Sequence, residues 1–195
     1  YDGYGYNVAV GHSAGKAVST GTQNTIIGGL AGDALTTGGE NVAVGYQTLS
    51  TEDTGTRNTA VGYQALRDLN YDGTGHNIGI GYQAGVLIST GIQNTIVGAL
   101  AGDALTTGSN NTAIGYQALS AEDGNGNNTA IGYQTLKAQN AGADAYNVAV
   151  GHQAGLLVSN GVRNTLIGGL AGDALTTGDY NTAIGYNALS TEDGN

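Results

Sequence analysis

Residues 11–15, Gly-His-Ser-Ala-Gly, carry the G-x-S-x-G pattern of a serine-hydrolase nucleophile elbow, with His12 beside Ser13. Followed by Lys16, the same stretch has the outline of a phosphate-binding loop. Carboxylate pairs at Glu52-Asp53, Glu122-Asp123 and Glu192-Asp193 stand in Gly-bearing turns and offer the oxygens a calcium ion takes. A set of rings, Tyr46, Tyr63, Tyr82, Tyr116, Tyr133 and His152, recurs at matching places, and glutamine usually follows. A ring beside an amide can stack on a sugar face and hydrogen-bond its hydroxyls, a glycan or receptor contact.

The sequence itself weakens the catalytic readings. The elbow recurs as GYQAG at 81–85 and GHQAG at 151–155, so Gln83 and Gln153 stand where Ser13 stands. A nucleophile elbow also needs a strand-turn-helix unit on an α/β sheet, and no 3.6-residue periodicity persists here. The phosphate-loop outline has its glycines one residue too close, lacks the Ser or Thr after Lys16, and has Val86 and Leu156 in the copies. The acidic pairs lie four repeat units apart, roughly 19 Å at the rise of stacked strands, so they cannot share an ion. They read as solvated turns. No catalytic residue, cofactor or metal site is expected, and the chain is not expected to be an enzyme.

The elements that position these residues are repeats. Asn recurs at 7, 24, 41, 58, 77, 94, 111, 128, 147, 164 and 181, three steps of 17 and one of 19 making a 70-residue super-repeat. We label the four units A to D, starting at Asn7, Asn24, Asn41 and Asn58. The residue four places after Asn is always Gly, from Gly11 to Gly185, and Val or Ile always precedes it. Three residues form a short strand with β-branched side chains at its ends, ended by a Gly corner. Alternation places those β-branched ends inward. The central residue then faces out, usually Ala but Ile26, Ile96 and Leu166 in B units. A second apolar position moves: C and D units carry Leu eight places after Asn, while A and B units carry Gly there and an aliphatic residue three places later. That exchange is what an interior of constant volume requires.

Composition agrees with a narrow, repetitive core. Of 195 residues 36 are Gly, and Pro, Cys, Met, Trp and Phe are absent, yet 39% are hydrophobic and fall in fixed columns. The expected fold is all-β: a parallel β-solenoid of about eleven coils of 17 to 19 residues, one continuous array over residues 1–195. Asn would form an axial amide ladder within it. Five Lys and Arg against fifteen Asp and Glu give a net charge of −10, which disfavours nucleic acid and anionic membranes as partners. No apolar run reaches membrane-spanning length.

The strings NNTAIG at 110–115 and 127–132 resemble the N-S-V-A-I-G signature of the head domain of trimeric autotransporter adhesins, the YadA-like left-handed parallel β-roll. NTAVGYQAL at 58–66 and NTAIGYQAL at 111–119 also resemble repeats of phage tail-fibre and related surface proteins. The resemblance covers essentially the whole chain, although the adhesin unit is shorter. It implies an elongated, often trimeric fibre that presents receptor-binding surfaces outside the cell, at a cell surface or on a virion. The chain starts inside a D unit and stops inside a C unit, which suggests a segment of a longer array.

The expected function is therefore a structural or adhesive extracellular fibre that partners itself, as a homotrimer or a filament. Its assembly contacts would be Ile26, Leu30, Ile96, Leu100, Leu166 and Leu170, as knobs on an Ala-lined outer stripe. An ice-binding solenoid is the alternative, and needs a flat Thr array. Thr25, Thr59, Thr95, Thr112, Thr129, Thr165 and Thr182 recur after Asn but read as inward-facing. A polysaccharide-degrading β-helix enzyme ranks below it, because no unit breaks the pattern enough to build a groove of catalytic carboxylates.

Overall fold

The computed structural model describes residues 5–191. Eleven three-residue strands follow one another: β1 (Val8–Val10), β2 (Thr25–Ile27), β3 (Val42–Val44), β4 (Thr59–Val61), β5 (Ile78–Ile80), β6 (Thr95–Val97), β7 (Thr112–Ile114), β8 (Thr129–Ile131), β9 (Val148–Val150), β10 (Thr165–Ile167) and β11 (Thr182–Ile184). They form one parallel sheet in sequence order. Register is kept throughout: Thr95 pairs with Thr112, Ile96 with Ala113 and Val97 with Ile114, and the 19-residue D coil preserves it, with Thr59 opposite Ile78. One strand per repeat makes the chain an all-β parallel solenoid. No helix occurs among the described residues.

Each coil turns through residues of positive φ. Gly at Asn+4 has φ between 130° and 140°, and a Cβ on Gly115 would fall inside contact distance of the Gly132 carbonyl oxygen in the next coil. The column is Gly because the neighbouring backbone fills the space a side chain would need. Further left-handed residues stand before Asn, at Asn+6 and at Asn+8, among them Leu119 (φ 54°) and Leu136 (φ 48°). A left-handed non-Gly residue costs about 1–2 kcal/mol. The cost is offset by burial of the leucines and by coil-to-coil backbone hydrogen bonds such as Leu66 N–H to Ala84 O and Gln64 N–H to Tyr46 O.

The strand faces are the reverse of the sequence expectation. The central residue points inward: Ala43, Ala60, Ala113, Ala130 and Ala149 are fully buried, and so are Ile26, Ile96 and Leu166. The β-branched ends, including every Thr of β2, β4, β6, β7, β8, β10 and β11, lie on the outer face. The interior is too thin for two β-branched side chains per strand, so the smaller column goes in. Ile26, Ile96 and Leu166 are thus core residues and not assembly knobs. Leu30, Leu100 and Leu170 are half-buried at Asn+6.

Core volume is balanced over three columns. B coils combine Ile or Leu at Asn+2 with Leu35, Leu105 or Leu175 at Asn+11 and keep Gly at Asn+8; a Cβ on Gly32 would lie 2.8 Å from Leu35 Cδ1. C and D coils combine a central Ala with Leu49, Leu66, Leu119 or Leu136 at Asn+8. A coils yield space to their neighbours: a Cβ on Gly79 would meet Leu66 Cγ at 2.6 Å, and one on Gly15 would meet Ile26 Cδ1 at 2.9 Å. The expected exchange of the bulky group is real, and the central strand residue takes part in it.

Asparagine forms a ladder, although not chiefly of amide to amide. Each side-chain Oδ1 accepts the backbone N–H of the next Asn, as from Asn41 to Asn24 (3.0 Å) and from Asn111 to Asn94 (2.9 Å). Outside the D coils Nδ2 donates to the carbonyl fourteen residues on, as Asn24 to Gly38 (2.9 Å) and Asn94 to Gly108 (2.9 Å). Backbone N–H and side chain together thereby join each asparagine to the coil below, its own closing turn and the coil above. In the D coils the two extra residues displace that carbonyl, and Asn58 and Asn128 leave Nδ2 unpaired.

Candidate functional site: the outer sheet face and its ladders

The outer face of the sheet carries two columns. One alternates Thr with Val or Ile at Asn+1; the other, at Asn+3, is Val or Ile in every coil. Side chains along each column are spaced at the strand separation of about 4.8 Å, and the two columns stand about 7 Å apart. Ile27 is 38% exposed, Ile80 39% and Ile167 38%, which is high for residues of this type in strands. Ten strand intervals make this apolar face roughly 48 Å long.

The aromatic column follows the Gly corner. Tyr46, Tyr63 and Tyr82 stack with ring centroids 5.6 and 5.4 Å apart, and Tyr116, Tyr133 and His152 with 5.6 and 5.1 Å. B coils interrupt the column with Gly29, Ala99 and Gly169. Beside the rings runs an amide ladder, Gln64 Nε2 donating to Gln47 Oε1 (2.8 Å), Gln83 to Gln64 (2.9 Å), Gln134 to Gln117 (2.8 Å) and Gln153 to Gln134 (3.1 Å). Leu30, Leu100 and Leu170 interrupt it. The six ring residues expected from the sequence are thus brought together in two stacks. Within a stack the ring faces are turned to one another, so hydroxyls and ring edges are what solvent meets.

Ser13 is a ladder residue. Its φ of 57° matches 53° at Gln47 and 55° at Gln153, and the Lys16 ammonium pairs with Asp33 (3.0 Å). No cavity is found among the described residues. Nor, among them, do three or more His, Cys, Asp or Glu side chains gather closely enough to hold a metal ion.

No protein-family model matches the chain, and comparison with curated proteins and with solved structures finds no match.

The acidic turns depart from expectation. Glu52 and Glu122 are fully buried, while Asp53 and Asp123 stay at the surface side of the turn. Both glutamates occupy Asn+11, the core column filled elsewhere by Val18, Leu35, Leu69, Ile88, Leu105, Val158 and Leu175. Burial pushes each carboxyl up to about 7, against the opposing pull of its hydrogen bonds. Glu192, the third of the set, lies outside the described residues. Counting from Asn would have exposed the pattern, since Glu52 and Glu122 align with leucines; the turn-like composition around them hid it.

Proposed function

We propose that this chain is the shaft of an extracellular fibre whose copies associate laterally through the outer sheet face. The observation that supports this reading most is the unbroken Val/Ile column at Asn+3. A regular apolar strip roughly 48 Å long, free of charge, is the kind of surface that marks an association site. The resemblance to adhesin-head and tail-fibre repeats points the same way and favours three chains. The stacked rings and the glutamine ladder stiffen the neighbouring edge, and adhesive contact, where it occurs, uses their hydroxyls and amides.

The test is sedimentation of the 195-residue chain against a variant carrying Ile80→Asp, Val97→Asp and Ile114→Asp. The wild type should sediment as an oligomer and the variant as a folded species of fewer chains. A wild type that is monomeric at high micromolar concentration sinks the proposal.

One observation favours a second reading. The Thr residues of Asn+1 face out, with Thr95, Thr112 and Thr129 in adjacent coils, so a flat two-column array of hydroxyl and methyl groups exists where ice-binding solenoids need one. Thermal hysteresis in a monomeric sample would select that reading; its absence leaves the fibre.

A further inference from the structure

Glu52 and Glu122 sit where the regular coil-to-coil bonding fails. In four A and B coils the N–H at Asn+14 donates to the Asn+12 carbonyl of the next coil: Gly21 to Thr36 O, Gly38 to Asp53 O, Gly91 to Thr106 O and Gly161 to Thr176 O. Above each C coil lies a 19-residue D coil, whose longer loop takes Asn70 and Asn140 out of that pattern. The orphaned N–H turns inward instead. Gly55 N–H donates to Glu52 Oε1 (2.7 Å), and Asn125 donates to Glu122 Oε1 from its backbone (3.1 Å) and its side chain (2.6 Å). The same two residues accept the ladder amides, Asn41 Nδ2 to Gly55 O (2.9 Å) and Asn111 Nδ2 to Asn125 O (3.0 Å). Each glutamate therefore ties a closing turn to the asparagine ladder from inside the core.

The geometry points to a pH-operated latch: Glu52 and Glu122 seat in the apolar core and hold the turns 51–56 and 121–127 closed while protonated, and on ionisation the cost of an unpaired buried charge, which their N–H bonds offset only in part, drives those turns open to water and loosens every C–D junction. The surroundings support this. Glu52 lies in its column between Leu35 and Leu69, and Glu122 between Leu105 and Gln139, whose Nε2 is itself unpaired as is Glu122 Oε2. Among the described residues no cation acts on either carboxyl. The charge that acts on each is that of the adjoining Asp53 or Asp123, which opposes ionisation. From the D coil, Asp72 accepts from Thr54 Oγ1 (2.7 Å) and Asp144 from Gly126 N–H (2.9 Å). Arg67, stacked over Thr51, is committed to Asp68 (2.6 Å). Lys137, stacked over Ala121, acts on Asp103. Tyr71 N–H donates weakly to Glu52 Oε2 (3.4 Å). The B coil below presents the uncharged turns Thr36-Thr37 and Thr106-Thr107.

Burial raises both carboxyls from the ordinary 4.5 to about 7. Between those values the folded chain keeps protons that the unfolded chain has lost. The stabilisation is full below pH 4.5 and disappears as the pH rises through 7. The solenoid thus tightens in mild acid, opposite to a protein held by salt-bridged carboxylates.

The test pairs a melting series from pH 5 to 8.5 with carbon-detected NMR titration of the glutamate carboxyls, on the full chain. The wild type should lose on the order of 5 °C in Tm across that range. Glu52→Gln/Glu122→Gln should remove most of that slope and melt above the wild type at the alkaline end, because Gln keeps the acceptor oxygen without the charge. The three histidines are unchanged in the variant, so the lost slope belongs to the glutamates. If the variant fails to fold, the wild-type titration still decides. Two carboxyls with midpoints near 7 support the latch, and midpoints near 4.5 overturn it, as does a double variant that keeps the wild-type slope.

Discussion

A single asparagine side chain serves both the next coil and its own closing turn, and its removal should be felt in both. Asn111→Ala leaves the Asn128 N–H without its acceptor (3.0 Å) and the Asn125 carbonyl without its donor. The expected cost is about 1–3 kcal/mol, read by thermal or denaturant unfolding. Asn128→Ala makes a useful contrast, because its Nδ2 is already unpaired and only the bond to Asn147 N–H (3.1 Å) is lost. It should cost less. Gly115→Val combines a φ of +134° with a collision against the Gly132 backbone and should cost on the order of 4 kcal/mol or more. Ser13→Ala, by contrast, should stay within about 0.5 kcal/mol and alter no hydrolytic turnover. A loss of esterase activity on that substitution would restore the nucleophile reading of the GHSAG stretch.

Within a coil, the unit of stability is a set of side chains that share one small interior. In a C coil, Leu119→Gly opens a cavity and should cost about 2–5 kcal/mol, while Ala113→Ile alone overpacks and should cost about 1–3 kcal/mol. Together they recreate the arrangement of a B coil, where Ile96 stands with Gly102. The double variant should therefore be more stable than the sum of the singles implies, by about 1 kcal/mol or more in a double-mutant cycle. Additivity would mean that the two columns do not share volume. The repeat length, the Gly corner, the strand positions and the parallel stacking are legible in the sequence because invariant Asn and Gly mark a fixed period. Which strand face is buried is not legible from β-branching alone. Val and Thr fit the pleated surface of a strand on either of its faces, and a three-residue strand has too few positions for alternation to reveal a side. The usable signal was size compensation: Ile26 faces a Gly at Asn+8, whereas Ala43 accompanies Leu49. The buried glutamates escaped for a related reason, since Glu-Asp-Gly composition suggests a solvated turn until the residues are counted from Asn.

For the molecule as a whole, shape and charge oppose each other. An apolar face runs the length of a rod whose net charge is −10, so copies brought side by side attract through methyl groups and repel through carboxylates. Salt screens the repulsion over a length of about 8 Å at physiological ionic strength and leaves apolar burial largely intact. Raising NaCl from low to near-molar concentration should strengthen association, seen as a rise in sedimenting mass at fixed protein concentration. Association that weakens with salt would mean that ion pairs, and not the Val/Ile column, join the chains.

The two extra residues of every D coil have a mechanical consequence. A solenoid of identical coils would be a smooth rail, along which an adjacent copy could shift by one coil and meet the same surface again. Here residues 70–76 and 140–146 form longer closing loops one super-repeat apart, roughly 19 Å along the axis. In the lateral assembly proposed above, neighbouring copies would match loop to loop only once in four coils. In that assembly the irregular coil would act as a notch on a ruler, turning continuous sliding into a few discrete alignments and giving the proposed shaft a defined stagger.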